Sequence, residues 1–148
     1  MKKRILIIDD DKQLNQINQK ILLASGLVSE LHITLNGREA LDYLTTRIEK
    51  NYPLPDIIIL DLHMPVMDGF DFIDEFRKLD YPNRYRTELV VFTSSSSPKD
   101  KQKVMSKDVK HYLSKPYLLR GLTDIVKNSR IDQLDMSLYK NGFKVPIL

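Results

Sequence analysis

Short apolar runs and amphipathic stretches alternate from one end of the chain to the other. Arg4 to Ile8 is a continuous apolar run with β-branched residues, the pattern of a buried strand. Asp11 to Ser25 carries Leu14, Ile17, Ile21 and Leu22 at helical spacing, and Gly26 stops it. Val28 to Thr34 alternates through Leu31 and Ile33, which predicts a second strand. Asn36-Gly37 opens a helix with Ala40, Leu41, Leu44 and Ile48 on one face. Pro53 and Pro55 bracket a loop, and Asp56 to Leu60 holds the most strand-like run, Ile57-Ile58-Ile59. A helix after Gly69 carries Phe72, Ile73, Phe76 and Leu79, and Phe70, Phe72 and Phe76 read as core. Tyr81 to Arg86 is a polar loop, and Leu89 to Phe92 a fourth strand. Ser97-Pro98 starts a helix with serine at the cap and proline at the first position. Lys110 to Leu113 is a short fifth strand, and a last helix carries Leu118, Leu122, Ile125 and Val126.

Five strands, each followed by a helix, predict an α/β fold with a parallel sheet covered on both faces. The length, 148 residues, suits one domain. The chain has no cysteine, which excludes a disulfide scaffold, thiolate ligands and cysteine nucleophiles. The run Ile5 to Ile8 behind Met1-Lys2-Lys3-Arg4 is too short for a signal peptide or a membrane span, so the expected location is cytoplasmic, with no membrane partner. The net charge of +3 fits a lysine-rich surface. No basic stripe is interleaved with aromatics, so no nucleic-acid partner is expected.

Ligands in parallel sheets collect beyond the carboxyl ends of the strands. Strand one ends in Asp9-Asp10, strand three in Asp61, strand four in Thr93-Ser94 and strand five in Ser114-Lys115-Pro116. Carboxylates gathered in one cleft repel unless a cation joins them, and an oxygen-only donor set suits a hard ion such as Mg²⁺. No His/Cys set offers a zinc site. A Mg²⁺ ion beside Asp61 would offset charge on an incoming phosphoryl group. Lys115 and Thr93 would supply a positive charge and a hydroxyl to its other oxygens, and Asp61 would be the carboxylate nucleophile.

Five segments together resemble the receiver domain of two-component response regulators. They are Ile5 to Asp11, Asn36 to Leu41, Ile59 to Gly69, Val91 to Ser94 and Tyr112 to Pro116, in family order. The resemblance covers about residues 3–130. It implies a flavodoxin-like, doubly wound sheet of order 2-1-3-4-5, taken from the family. It also implies that Asp61 is the phosphoacceptor, Asp10 a direct Mg²⁺ ligand, Asp9 its acidic neighbour, and the His63 backbone carbonyl a further ligand. Thr93 matches the switch hydroxyl, Lys115 the phosphate-binding lysine and Tyr112 the aromatic that changes rotamer with Thr93. The Lys115-Pro116 peptide is expected to be cis. The implied donor is a histidine kinase or phosphotransfer protein. The implied output is phosphorylation-dependent binding of a protein target at the face of the fourth helix, fifth strand and fifth helix.

Plainer roles suit other residues. Asp11 reads as a helix cap and Asp68-Gly69 as turn chemistry. The His63 side chain, with Ser95, is a candidate to tune how water reaches an acyl phosphate. Lys99, Lys101, Lys103, Lys107 and Lys110 make a basic region around the fourth helix, read as a solvated face with an acidic partner as the sharper hypothesis. Asp108-Val109 stands where receivers often carry Gly-Ala, so the end of the fourth helix is expected to differ. Residues 1–130 are read as the domain and 131–148 as an extension without a separate output domain, with Ile131, Leu134 and Leu138 at helical spacing. Three competing functions are weighed. An aspartyl-phosphate phosphohydrolase would want an aspartate at position 63, and a nucleotide- or flavin-binding module a glycine-rich turn after strand one. The third is a scaffold-type receiver that works without phosphorylation.

Overall fold

The computed structural model describes residues 2–81, 86–109 and 111–115, with positions 124 and 127 each helical. Five strands alternate with helices. β1 (Lys3–Ile8) leads to α1 (Lys12–Ala24), β2 (Val28–Thr34) to α2 (Gly37–Glu49), and β3 (Ile57–Leu60) to α3 (Gly69–Lys78). β4 (Glu88–Thr93), α4 (Pro98–Ser106) and β5 (His111–Ser114) follow. The sheet is parallel throughout, in the order β2-β1-β3-β4-β5, as expected. The fifth helix, Pro116 and the extension 131–148 lie outside the described residues. Among the described residues, no helix is long and apolar enough to cross a membrane.

Alternation along the strands divides the core in two. Leu6, Ile8, Ile58, Leu60 and Val91 point toward α2, α3 and α4, where Leu44, Phe72, Ile73 and Val104 meet them. Ile5, Ile7, Ile59, Phe92 and Leu113 point to the other face, where Leu22 of α1 is buried. Phe70, Phe72 and Phe76 are core, as expected. Each large apolar side chain so buried contributes about 2 kcal/mol.

α1 departs from its sequence pattern. Its inward face is Asn15, Asn18 and Leu22, whereas Ile17 is 50% exposed. The helix is rotated from the orientation that its isoleucine and leucine spacing suggests, and it turns two amides toward the sheet.

Each helix start is capped by the chain itself. Asp11, Asn36, Asp68 and Ser97 accept from the backbone N–H three residues on, a bond worth about 1 kcal/mol each. At the other end of α4, Asp108 takes a left-handed φ of +59°, which glycine would adopt without strain. The Arg77 guanidinium donates to the Lys107 and Asp108 carbonyls, and Lys107 Nζ lies 2.8 Å from Asp74, so this end of the helix is tied to α3.

The link from β3 to α3 is the tightest part of the fold. Met67 N donates to the Pro65 carbonyl across Val66, which has φ +67°, an i to i+2 γ-turn at a β-branched residue. Gly69 N donates to the Leu62 carbonyl at 2.7 Å, and a Cβ on Gly69 would lie 2.8 Å from Leu62 Cα and still closer to the Asp61 carbonyl. Only glycine lets α3 start this close to the end of β3. Gly69→Ala is therefore expected to destabilise the protein by about 2 kcal/mol, measured by urea unfolding. A variant as stable as the parent would show that the backbone can yield there.

Candidate functional site

The register of the sheet brings the polar strand ends together. Ile8 pairs with Leu60, and Thr93 with Ser114. One residue beyond each pair lie Asp9, Asp61 and Lys115. The ladders continue through Asp9 N to the Thr34 carbonyl, Asp61 N to the Ile8 carbonyl, and Lys115 N to the Thr93 carbonyl. The switch in strand order falls between β1 and β3, so Asp9 and Asp61 are neighbours across it.

Asp9 and Asp61 are 3% and 7% exposed, while Asp10 stands at the surface. One carboxylate oxygen from each of the three lies within 4.8 Å of the others. Lys115 Nζ reaches 2.6 Å from Asp9 Oδ2 and 3.5 Å from Asp61 Oδ2. The remaining oxygens are held by backbone: Asp11 N donates to Asp9 Oδ1 and Leu62 N to Asp61 Oδ1. Burial pushes the Asp9 carboxyl above the usual aspartate range, against the opposing pull of the Lys115 and Asp11 hydrogen bonds, and the Asp61 charge adds to the rise.

Thr93 is fully buried, and its Oγ1 accepts from Ser95 N at 3.2 Å. The Tyr112 hydroxyl donates to the Ser95 carbonyl at 3.2 Å, and burial raises its pKa. The Ser95 hydroxyl donates to Asp100 Oδ2 at 2.6 Å. The exposed His63 ring meets that same oxygen through Nε2 at 2.6 Å. These bonds hold the Asp100 carboxyl below its usual range, Ser95 contributing most and His63 next. Ser95 therefore joins Thr93, Tyr112 and α4, and Asp100 joins α4 to the residue two beyond Asp61.

The predicted set Asp9, Asp10, Asp61 and Lys115 is thus assembled at one rim, with Thr93 and Tyr112 linked through Ser95. The His63 side chain turns to Asp100. Two contributors were not singled out from the sequence: Asp100, which stands among the lysines of α4, and Asn15 of α1. For Asp100 the only available signal was its place three residues after the capping Ser97, where a first-turn acid is ordinary.

A sequence model described as the response regulator receiver domain matches residues 5–127. Response regulator Rcp1 of Synechocystis sp. is 32% identical over 126 residues, which span 84% of each protein. Other relatives are longer: the match spans 15% of the sensor histidine kinase CheAY of Helicobacter pylori and 56% of the probable transcriptional regulator ycf29 of Porphyra purpurea. A two-component response regulator from Cytophaga hutchinsonii superposes with a TM-score of 0.75 at 27% identity, covering 87% of this chain and 98% of that one. The phosphorylated cyanobacterial phytochrome response regulator RcpA superposes with a TM-score of 0.71 at 27% identity, covering 99% and 100%. The Mn²⁺-bound form of Rcp1 gives 0.69 at 29% identity, covering 98% and 99%. With the parallel sheet, the acidic rim and a family match over most of its length, this chain belongs to the response regulator receiver family.

Proposed function

We propose that the chain accepts a phosphoryl group on Asp61 from a phosphohistidine of a histidine kinase or phosphotransfer protein, in a Mg²⁺-dependent reaction. Its output is the binding of a protein target that distinguishes the two states. The observation that carries this reading is the rim itself, where two buried carboxylates share one ammonium and a third carboxylate stands beside them.

The donor set fits the ion. The candidate ligands are carboxylates with the His63 backbone carbonyl, all hard oxygens, and Asp9 is desolvated in a way that a divalent cation would offset. Asp9, Asp10, Asp61 and the His63 carbonyl would hold Mg²⁺, which when bound supplies positive charge to the phosphoryl oxygens. In the transfer an Asp61 carboxylate oxygen forms a bond to phosphorus, the P–N bond of the donor breaks, and the imidazole departs. Lys115 can exchange its contact with Asp61 for one to the new dianion. The Thr93 hydroxyl can donate its proton to a phosphoryl oxygen.

Movement of Thr93 would draw on Ser95, whose carbonyl holds Tyr112 and whose hydroxyl holds Asp100 of α4. That route leads to α4, where Lys101 Nζ lies 5.9 Å from the Tyr112 ring centroid on the β5 side and Lys103 Nζ 4.3 Å from that of Phe70 on the α3 side. An acidic target surface would complement these lysines. The change is a shift between two populated states, driven by the new contacts of the acyl phosphate.

Incubation with a small phosphodonor such as acetyl phosphate and Mg²⁺, followed by intact-mass measurement, is expected to add one base-labile phosphoryl group. The gain should vanish without Mg²⁺ and in Asp61→Asn. A phosphoryl group that persists in that variant, or never appears in the wild type, would overturn the reading.

The raised pKa of Asp9 also has a consequence for stability without metal. A group that binds its proton more tightly when folded contributes stability that is complete below its unfolded pKa, about 3.9 for aspartate. That contribution is lost as pH rises through the higher folded value. Asp9→Asn removes this loss. Metal-free, it is expected to melt above the wild type at pH 7, with the difference closing toward pH 4. Melting curves in EDTA across that range provide the check.

His63 Nε2 and Asp100 Oδ2 meet at 2.6 Å and join the residue two beyond Asp61 to α4. His63→Ala and Asp100→Ala are expected to admit water and shorten the phosphoryl lifetime several-fold. Loss of phosphate at the wild-type rate in both would remove the pair from the account.

A further inference from the structure

Asn15 lies in the first turn of α1, on the face turned toward the sheet, and is 3% exposed. Its side-chain Nδ2 donates to the Asp9 backbone carbonyl at 2.8 Å. Its Oδ1 is buried and, among the described residues, has no hydrogen-bond partner. A buried acceptor left without a donor is a standing cost; leucine at this position would remove it but would take away the donor to the buried Asp9 carbonyl. What the amide gains against that cost is the bond to the Asp9 carbonyl.

That bond bears on Asp10 more than on Asp9. The Asp9 carboxylate is already held by Lys115 and by Asp11 N, and its N–H by the Thr34 carbonyl. Asp10 is exposed, and no hydrogen bond among the described residues holds its carboxylate. Its direction follows from the backbone that carries it, above all from the plane of the Asp9–Asp10 peptide. The carbonyl of that peptide is the atom that Asn15 holds. We propose that Asn15 is a positioning residue for the cation site: its side-chain amide fixes the Asp9–Asp10 peptide and so aims the Asp10 carboxylate at the ion. This rests on the reading that the acidic rim binds Mg²⁺.

Asn18 provides an internal comparison. It lies one turn further along the same buried face, is 1% exposed, and also has a buried Oδ1 without a partner among the described residues. Among the described residues it makes no bond to the β1–α1 loop. If buried amides in α1 served packing alone, the two would be equivalent.

The test is the melting temperature of the full chain across a MgCl₂ series at constant ionic strength, for wild type, Asn15→Leu, Asn15→Ala and Asn18→Leu. Binding to the folded state raises the midpoint in proportion to the logarithm of metal over its dissociation constant, so one experiment reads both fold and affinity. Asn15→Leu is expected, whatever its metal-free midpoint, to need about tenfold more Mg²⁺ for the same rise, the usual scale for losing a group that orients a metal ligand. Asn15→Ala, which adds no bulk, should show the same tenfold displacement whatever its metal-free midpoint. Asn18→Leu should respond to Mg²⁺ as the wild type does. A wild-type response in both Asn15 variants would overturn the proposal alone, as would an equal weakening in Asn18→Leu. A wild type whose midpoint ignores Mg²⁺ would overturn the cation-site reading and this inference with it.

Discussion

Everything at the functional rim depends on one electrostatic constraint: two carboxylates are buried side by side, and a single lysine ammonium lies against both. Two anions this close, withdrawn from water, are unfavourable without a counter-charge. Lys115 supplies one, and Asp9 still binds its proton more tightly than an aspartate in water. The pair is thus under-compensated in the isolated protein. The arrangement favours any added cation, and under the proposed function it is completed by a divalent ion and a phosphoryl group. The sheet makes such a site possible, because its ladders fix the backbone of Asp9, Asp61 and Lys115 at neighbouring strand ends.

Around that pair, the geometry that would transmit a change is concentrated in one serine. Ser95 uses its N–H for Thr93, its carbonyl for Tyr112 and its hydroxyl for Asp100. The end of β4, the start of α4 and β5 therefore share a single residue. Asp100 adds the β3–α3 loop through His63. Under the proposed function, a small shift of Thr93 toward a new anion disturbs all of these bonds together. A bonded hub converts a local charge change into a rearrangement of a helix face.

The receiver family is established by the match over residues 5–127 and by the sheet order. The core on the α2–α3 side is apolar and closely packed up to the β3–α3 link, where strain is admitted at Val66 and close approach at Gly69. Backbone strain next to a reactive side chain is a common way to hold it in place. Here the strained loop carries Asp61 at one end and the cap of α3 at the other.

Much of this was legible in the amino-acid order. The alternation of strand and helix, and the ends of β1, β3, β4 and β5, follow from local patterns: branched apolar runs, caps such as Ser97-Pro98, and polar residues where each run stops. The order of the strands came from the family resemblance, since periodicity carries no information about which strand lies beside which. Only the tertiary structure could turn α1 so that Asn15 and Asn18 face inward while Ile17 faces water. Apolar spacing predicts the opposite, because it weighs transfer from water and cannot anticipate a hydrogen bond to the Asp9 carbonyl. The same holds for Asp100, whose partners His63 and Ser95 lie 37 and 5 residues away. Sequence by itself determined which groups reach the rim, because each is attached to the end of its own strand. Packing and long-range hydrogen bonds decided how they are aimed, because those contacts exist only once the chain has closed on itself.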